Sequence, residues 1–224
     1  MTKPDSTLQP AETEQPAAQP APTLGRRFLW IAAGALLLLV LLVAGGWWLR
    51  VPELHGVLLQ SPRQADDFTL TASTGEPLAL SDLRGKFVLI YFGYTFCPDV
   101  CPTTLNDLKQ MAAALGEQKM QHVQVVLISV DPQRDTPERL ALYVNSFNPS
   151  FLGMTGELDD IQRIASQFGI FFEAQPGTPD TGYLVDHTSV VTVIDPEGYV
   201  RLIFPYGTAG KDMAADISYL MRRG

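Results

Sequence analysis

The stretch that decides the fold is Phe87-Val88-Leu89-Ile90-Tyr91-Phe92, followed by Gly93-Tyr94-Thr95-Phe96-Cys97-Pro98-Asp99-Val100-Cys101-Pro102. The first six residues are apolar throughout and rich in branched and aromatic side chains. That is the pattern of a strand buried on both faces, as in the middle of a parallel sheet. The strand runs into the only two cysteines of the chain, with three residues between them. Pro102 then opens an amphipathic stretch with Leu105, Leu108, Met111 and Leu115 on one face and Gly116 at its end. Proline at the start and glycine past the end are helix signals. Both thiols are therefore expected on a loop between the carboxyl end of a buried strand and the amino end of a helix, where open α/β sheets bind ligands.

A helix amino terminus carries partial positive charge and unpaired N–H groups, which favours thiolate, the form that attacks and ligates. Three readings compete for such a pair. A structural disulfide closing so small a ring removes little entropy from the unfolded chain, so it is the weakest. Redox pairs more usually have two intervening residues, and here there are three, one of them proline. Two thiolates form only part of a metal site and require another ligand. The cysteines alone leave redox dithiol and soft-metal site side by side.

The 224 residues carry a formal net charge of −8. The first 25 hold Lys3 against Asp5, Glu12 and Glu14, and Arg26, Arg27 and Arg50 add three positive charges, so the residues beyond 50 carry −9. An acidic domain argues against nucleic acid and suits a basic or cationic partner, though it also simply keeps a domain soluble. The start of the chain is Pro, Ala, Gln, Glu and Thr with almost nothing apolar, so residues 1–27 are expected to be a disordered tail.

Phe28 to Leu49 is a run of 22 residues without a charge, enough to cross a bilayer as a helix. It exceeds the roughly 7–15 residues of a signal-peptide core, which favours an uncleaved anchor. Arg26 and Arg27 precede it, so the positive-inside rule puts the tail in the cytoplasm and the rest on the periplasmic side of a bacterial inner membrane. Trp30 at one end and Trp47 and Trp48 at the other match the interfacial belts. Residues 50–66 read as a tether, and residues 67–224 as the domain.

Within the domain, 68–80 reads as a hairpin around Gly75, and Val123 to Val130 as a second buried strand, parallel to the first. Thr136 and Pro137 start a helix with Leu140, Tyr143, Val144 and Phe147 inward. A further helix spans 157–168, a short strand holds Phe171 and Phe172, and 175–182 is a Pro/Gly loop. Ser189–Ile194 and Tyr199–Phe204 form a hairpin about Asp195-Pro196-Glu197-Gly198, and a last helix occupies 211–223.

Of the three histidines, His55 falls in the tether and His122 in a polar joint, both ordinary surface positions. His187 follows Asp186 at the mouth of a buried strand. As a bland alternative, it is a hydrogen-bonded histidine at a strand end. As a ligand, it would join two thiolates in a soft three-coordinate site suited to Cu(I) and tolerable for Cu(II), with zinc as the rival ion. Asp186 either orients the imidazole or stays in solvent.

At these residues the sequence resembles the SCO/SenC family of membrane-anchored copper-binding proteins. The stretches that carry the resemblance are GKFVLIYFGYTFCPDVCPTTL (85–105), ISVDPQRDTPERL (128–140) and YLVDHTSVVTVIDPEG (183–198), together with the apolar amino-terminal run. Cys-Pro-Asp-Val-Cys-Pro with a distant Val-Asp-His is specific, whereas a bare Cys-x₃-Cys is weak. The resemblance implies a thioredoxin-like fold, a central mixed sheet flanked by helices. It implies copper held by Cys97, Cys101 and His187, and delivery of that copper to the binuclear centre of cytochrome c oxidase subunit II. A periplasmic copper donor and a thioredoxin-like reductant would be further partners. Copper delivery turns over no substrate. The alternative is an enzyme, a membrane-tethered thiol–disulfide oxidoreductase using Cys97 and Cys101 to keep the target's cysteines reduced.

Overall fold

The computed structural model describes residues 24–49, 54–178 and 182–223. The chain divides into two units, residues 1–52 and 53–224. In the first, α1 runs over Leu24–Leu49, and its Phe28–Gly46 portion is long and apolar enough to cross a membrane. Most of the expected tail, and residues 50–53 of the expected tether, lie outside the described residues.

The second unit is built on the strand that the sequence singles out. β4, Phe87–Gly93, is buried at all seven positions. It pairs in parallel with β5, Val123–Ser129, and antiparallel with β9, Val190–Ile194. Beyond β5 lie β6 (Leu152–Thr155), parallel to it, then β2 (Thr69–Ala72) and β3 (Pro77–Ala79), antiparallel. Beyond β9 lie β10 (Tyr199–Pro205) and β1 (Val57–Gln64), also antiparallel. The sheet is therefore mixed, in the order β1-β10-β9-β4-β5-β6-β2-β3. A separate two-stranded arm joins β7, Phe172–Pro176, to β8, Tyr183–His187.

Helices cover both faces. The α2 helix (Val100–Met120) packs beside α5 (Gly210–Arg223), and α3 (Pro137–Phe147) lies against β6. Alternate residues of a strand face opposite ways. On β4, Gly93 faces the Cys101 sulfur of α2, while Phe92 faces Phe168, at the end of α4 (Leu158–Gln167), with ring centroids 6.0 Å apart. The cap of α3 falls where the sequence places it, with Thr136 accepting the Arg139 N–H and Pro137 just inside, whereas Gly116, the expected end of α2, is an internal break with a φ of 73° beyond which the helix continues to Met120.

Residues 57–64 are not tether but an edge strand. Its register shifts between Leu58 and Arg63, a bulge that accommodates Pro62, which has no N–H for a ladder. His55 is likewise not a free surface residue. Its backbone N–H, that of Gly56 and its ring Nδ1 all engage the carboxylate of Asp216, which is 2% exposed. This clamp ties the start of the unit to α5. His122 is exposed, as expected. Two further strands, β6 and β8, occupy segments that the sequence pattern does not mark.

Candidate metal centre

Three elements converge at the carboxyl end of β4. The first is the turn after Gly93. Cys97 sits on it half-buried, and its amide donates to the Tyr94 carbonyl at 3.3 Å. The second is the first turn of α2. The helix begins at Val100, before Pro102, so Cys101 lies on the helix rather than on the loop, and it is completely buried. Proline is tolerated there because first-turn N–H groups have no intrahelical acceptor. Asp99 occupies the cap position without a side-chain cap bond. The Cys101 amide instead donates to the Cys97 sulfur at 3.3 Å, so a thiol takes the place of the capping oxygen.

The third element is the β7–β8 arm. His187 ends β8, opposite Phe172 of β7. Two hydrogen bonds fasten the arm over the thiols: the Val185 amide donates to the Tyr94 hydroxyl at 3.1 Å, and the Tyr183 hydroxyl donates to Asp131 at the end of β5. Arg134 stacks on the Tyr183 ring at 3.7 Å and pairs with the same carboxylate. His187 Nε2 then lies 3.3 Å from Cys101 Sγ, while Nδ1 turns toward the Thr188 carbonyl at 3.4 Å. The rings of Tyr91 and Tyr94 meet the imidazole edge-on, at centroid distances of 5.9 and 6.2 Å. Asp186 is exposed to solvent. The arm holds this side of the site.

The structure thus brings all three expected residues together. The candidate ligand atoms of Cys97, Cys101 and His187 lie within 4.8 Å of one another, the one such His/Cys/Asp/Glu cluster among the described residues. Both cysteines are free thiols, and their environments are opposed. A hydrogen bond from the Cys101 thiol, reinforced by His187 and by the amides of Cys101 and Asp99, outweighs burial and lowers Cys97 to about 4. The same hydrogen bond to Cys97, together with burial, pushes the Cys101 thiol up. The arrangement offers one accessible thiolate, one buried thiol and one imidazole, opening on a hollow of about 220 Å³.

Two residues that the pattern of the sequence does not flag complete the site. Gly93 gives the Cys101 sulfur its seat, since a methyl there would stand 3.0 Å from it. Glycine at a strand end often marks such a close approach, which is the signal that could have found it. Tyr91 lies buried beside the same sulfur. In an all-apolar strand it carries no distinguishing mark.

The SCO1/SenC family profile matches residues 58–222. The chain is 38% identical over 133 residues to the mitochondrial SCO2 homolog of Mus musculus, a match covering 59% of this chain and 52% of the mouse protein. It thus aligns with about half the length of that relative. The solution structure of apo Sco1 from Thermus thermophilus superimposes with a TM-score of 0.68 at 38% identity, covering 75% of this chain and 97% of that one. The structure of Bradyrhizobium japonicum ScoI with copper bound superimposes with a TM-score of 0.64 at 34% identity, covering 70% of this chain and 99% of that one. The fold is the thioredoxin-like fold of these proteins.

Proposed function

The chain belongs to the SCO1/SenC family, and from that premise we propose that it is a membrane-anchored copper carrier. It holds the ion on Cys97, Cys101 and His187 and surrenders it during assembly of the binuclear copper centre of cytochrome c oxidase subunit II. The observation that carries this reading is the cluster itself, three soft donors from three separate elements within 4.8 Å. A chain that needed only a dithiol would have no use for an arm that delivers an imidazole to 3.3 Å from the buried sulfur. Two thiolates and one imidazole suit Cu(I) in a three-coordinate site and tolerate Cu(II). Zinc is a poorer match, because a closed zinc site takes four protein ligands. No fourth His, Cys, Asp or Glu joins the cluster among the described residues. Copper is cargo here, so it must leave as well as bind. The half-exposed Cys97 is the ligand that an incoming donor or acceptor thiolate reaches first, while Cys101 and His187 stay anchored. In this reading α1 is the anchor, and the arginines before it support a periplasmic domain, where a copper donor and a thioredoxin-like reductant would meet it.

A second reading rests on a specific observation, the asymmetry of the thiols. An accessible thiolate backed by a buried partner is the arrangement of a nucleophilic and a resolving cysteine. In that reaction Cys97 attacks a target disulfide, Cys101 displaces the target thiol, and the two electrons of this dithiol reduce the target's pair. The experiment that separates the readings mixes the copper-loaded full chain, in detergent, with reduced apo subunit II. Copper leaving this chain and appearing in the binuclear site supports delivery. Copper retained here, with a separate sample of the reduced, metal-free chain reducing oxidised subunit II at the expense of its two thiols, supports the oxidoreductase.

A further inference from the structure

Tyr91 is among the largest fully buried side chains of the molecule, and its hydroxyl has no hydrogen-bond partner. A buried, unpaired O–H is costly, and a strand position that needed only bulk is better served by phenylalanine. The place of this hydroxyl makes its isolation informative. Tyr91 and Gly93 share the face of β4 that α2 covers. A methyl on Gly93 would meet Tyr91 Cε1 at 2.9 Å and Cys101 Sγ at 3.0 Å, so ring edge and sulfur flank the same point. The two side chains around the phenol oxygen are Cys101 and Thr104. Thr104 donates its own proton to the Val100 carbonyl at 3.0 Å, and its oxygen does not take up the phenol proton either. In the metal-free chain the Cys101 sulfur is a thiol that donates to Cys97 and lies 3.3 Å from His187 Nε2, and a neutral thiol is a weak acceptor. The hydroxyl makes no hydrogen bond of full geometry and stands beside a sulfur that, as a neutral thiol, accepts only weakly.

We propose that Tyr91 is a positioning residue of the copper site, its O–H donating to the Cys101 sulfur once copper is bound there. This rests on the copper reading above and assigns a role to a residue outside the ligand set. A copper-bound thiolate retains negative charge and accepts hydrogen bonds well. A donor aimed at it fixes the sulfur's orientation and lowers the energy of its lone pair. The T-shaped contact of the same ring with His187 lets one side chain brace two ligands, on α2 and on β8, from the floor of the site.

The test is Tyr91→Phe in the full chain, which keeps the ring and removes only the hydroxyl. Cu(I) affinity, read by competition with a chromophoric chelator, is expected to fall about 10- to 100-fold, the usual loss when a partner of a ligand is removed. The sulfur-to-Cu(II) charge-transfer band is expected to move to longer wavelength, because the sulfur lone pair rises in energy. The metal-free unfolding midpoint should stay level or rise, since a stranded polar group has gone. Wild-type affinity together with an unmoved band would overturn the proposal. So would a copper defect matched by a fall in metal-free stability, which would make Tyr91 merely a packing residue. A wild-type chain that binds no copper would instead refute the copper reading itself, before the variant is compared.

Discussion

Replacing Gly93 by Ala adds one methyl where three side chains meet. The new carbon would stand 2.9 Å from Tyr91 Cε1, 3.0 Å from Cys101 Sγ and 3.2 Å from Leu127 Cδ1. Backbone strain is not at issue, because Gly93 is not among the positive-φ glycines. Tyr91 and Leu127 are fully buried and have little room to retreat, so part of the displacement falls on the sulfur. Overpacking a close-packed core by one methyl costs about 1–3 kcal/mol. For a domain of this size each kcal/mol lowers the midpoint by about 2–4 °C, so thermal unfolding of the metal-free chain should come about 2–12 °C earlier. Copper affinity should fall as well, since one ligand moves while His187 and Cys97 do not. Calorimetry and a Cu(I) competition titration on the same preparation read both effects. A variant with wild-type midpoint and wild-type affinity would show that the Cys101 sulfur does not rest on Gly93, and the geometry of the site would have to be redrawn.

Three other outcomes are expected. His187→Ala should weaken Cu(II) more than Cu(I), because two thiolates still hold Cu(I) in linear geometry, and should change disulfide reduction by Cys97 and Cys101 much less; competition titrations and a thiol-exchange assay decide it. Because Cys97 is lowered to about 4, it is thiolate at neutral pH, and its alkylation by iodoacetamide in the reduced, metal-free chain should persist as pH falls and be lost only near pH 4; a rate that instead titrates near the ordinary thiol value of about 8.5 would contradict the hydrogen bonding assigned to it. A reporter enzyme fused after Gly224 should be active only outside the cytoplasm, and cytoplasmic activity would refute the orientation drawn from Arg26 and Arg27.

Much of this architecture is legible in the sequence, and the exceptions have physical reasons. β4 and β5 announce themselves because a strand buried on both faces must be apolar at nearly every position. The start of α3 follows from Thr136 and Pro137, whose preferences are local. β6 is four residues, Leu-Gly-Met-Thr, and owes its strand state to β5 and β2 on either side, which no local pattern encodes. β8 is masked by the Pro/Gly stretch before it and is held by its pairing with β7. β1 reads as a tether because Ser61 and Pro62 interrupt it, yet an edge strand with a bulge tolerates both. In the site, residue identity gives the two thiols and the imidazole, since few side chains ligate soft metals. Their proximity depends on the arm that Tyr94 and Asp131 fasten down, a tertiary contact spanning about 90 residues in one case. Tyr91 and Gly93 stay hidden because their part is defined by what stands next to them in space.

The central claim is that Cys97, Cys101 and His187 form one copper site, and the most direct measurement is Cu(I) binding by the full chain in its reduced and oxidised forms, with X-ray absorption on the loaded protein. Copper(I) needs the thiolates, and a disulfide offers none. The reduced chain should take up one copper per molecule with two sulfurs and one nitrogen around it, the donors that the cluster presents, and the oxidised chain should take up none until it is reduced. Equal uptake by the two forms, or a coordination shell without two sulfurs, would contradict the account.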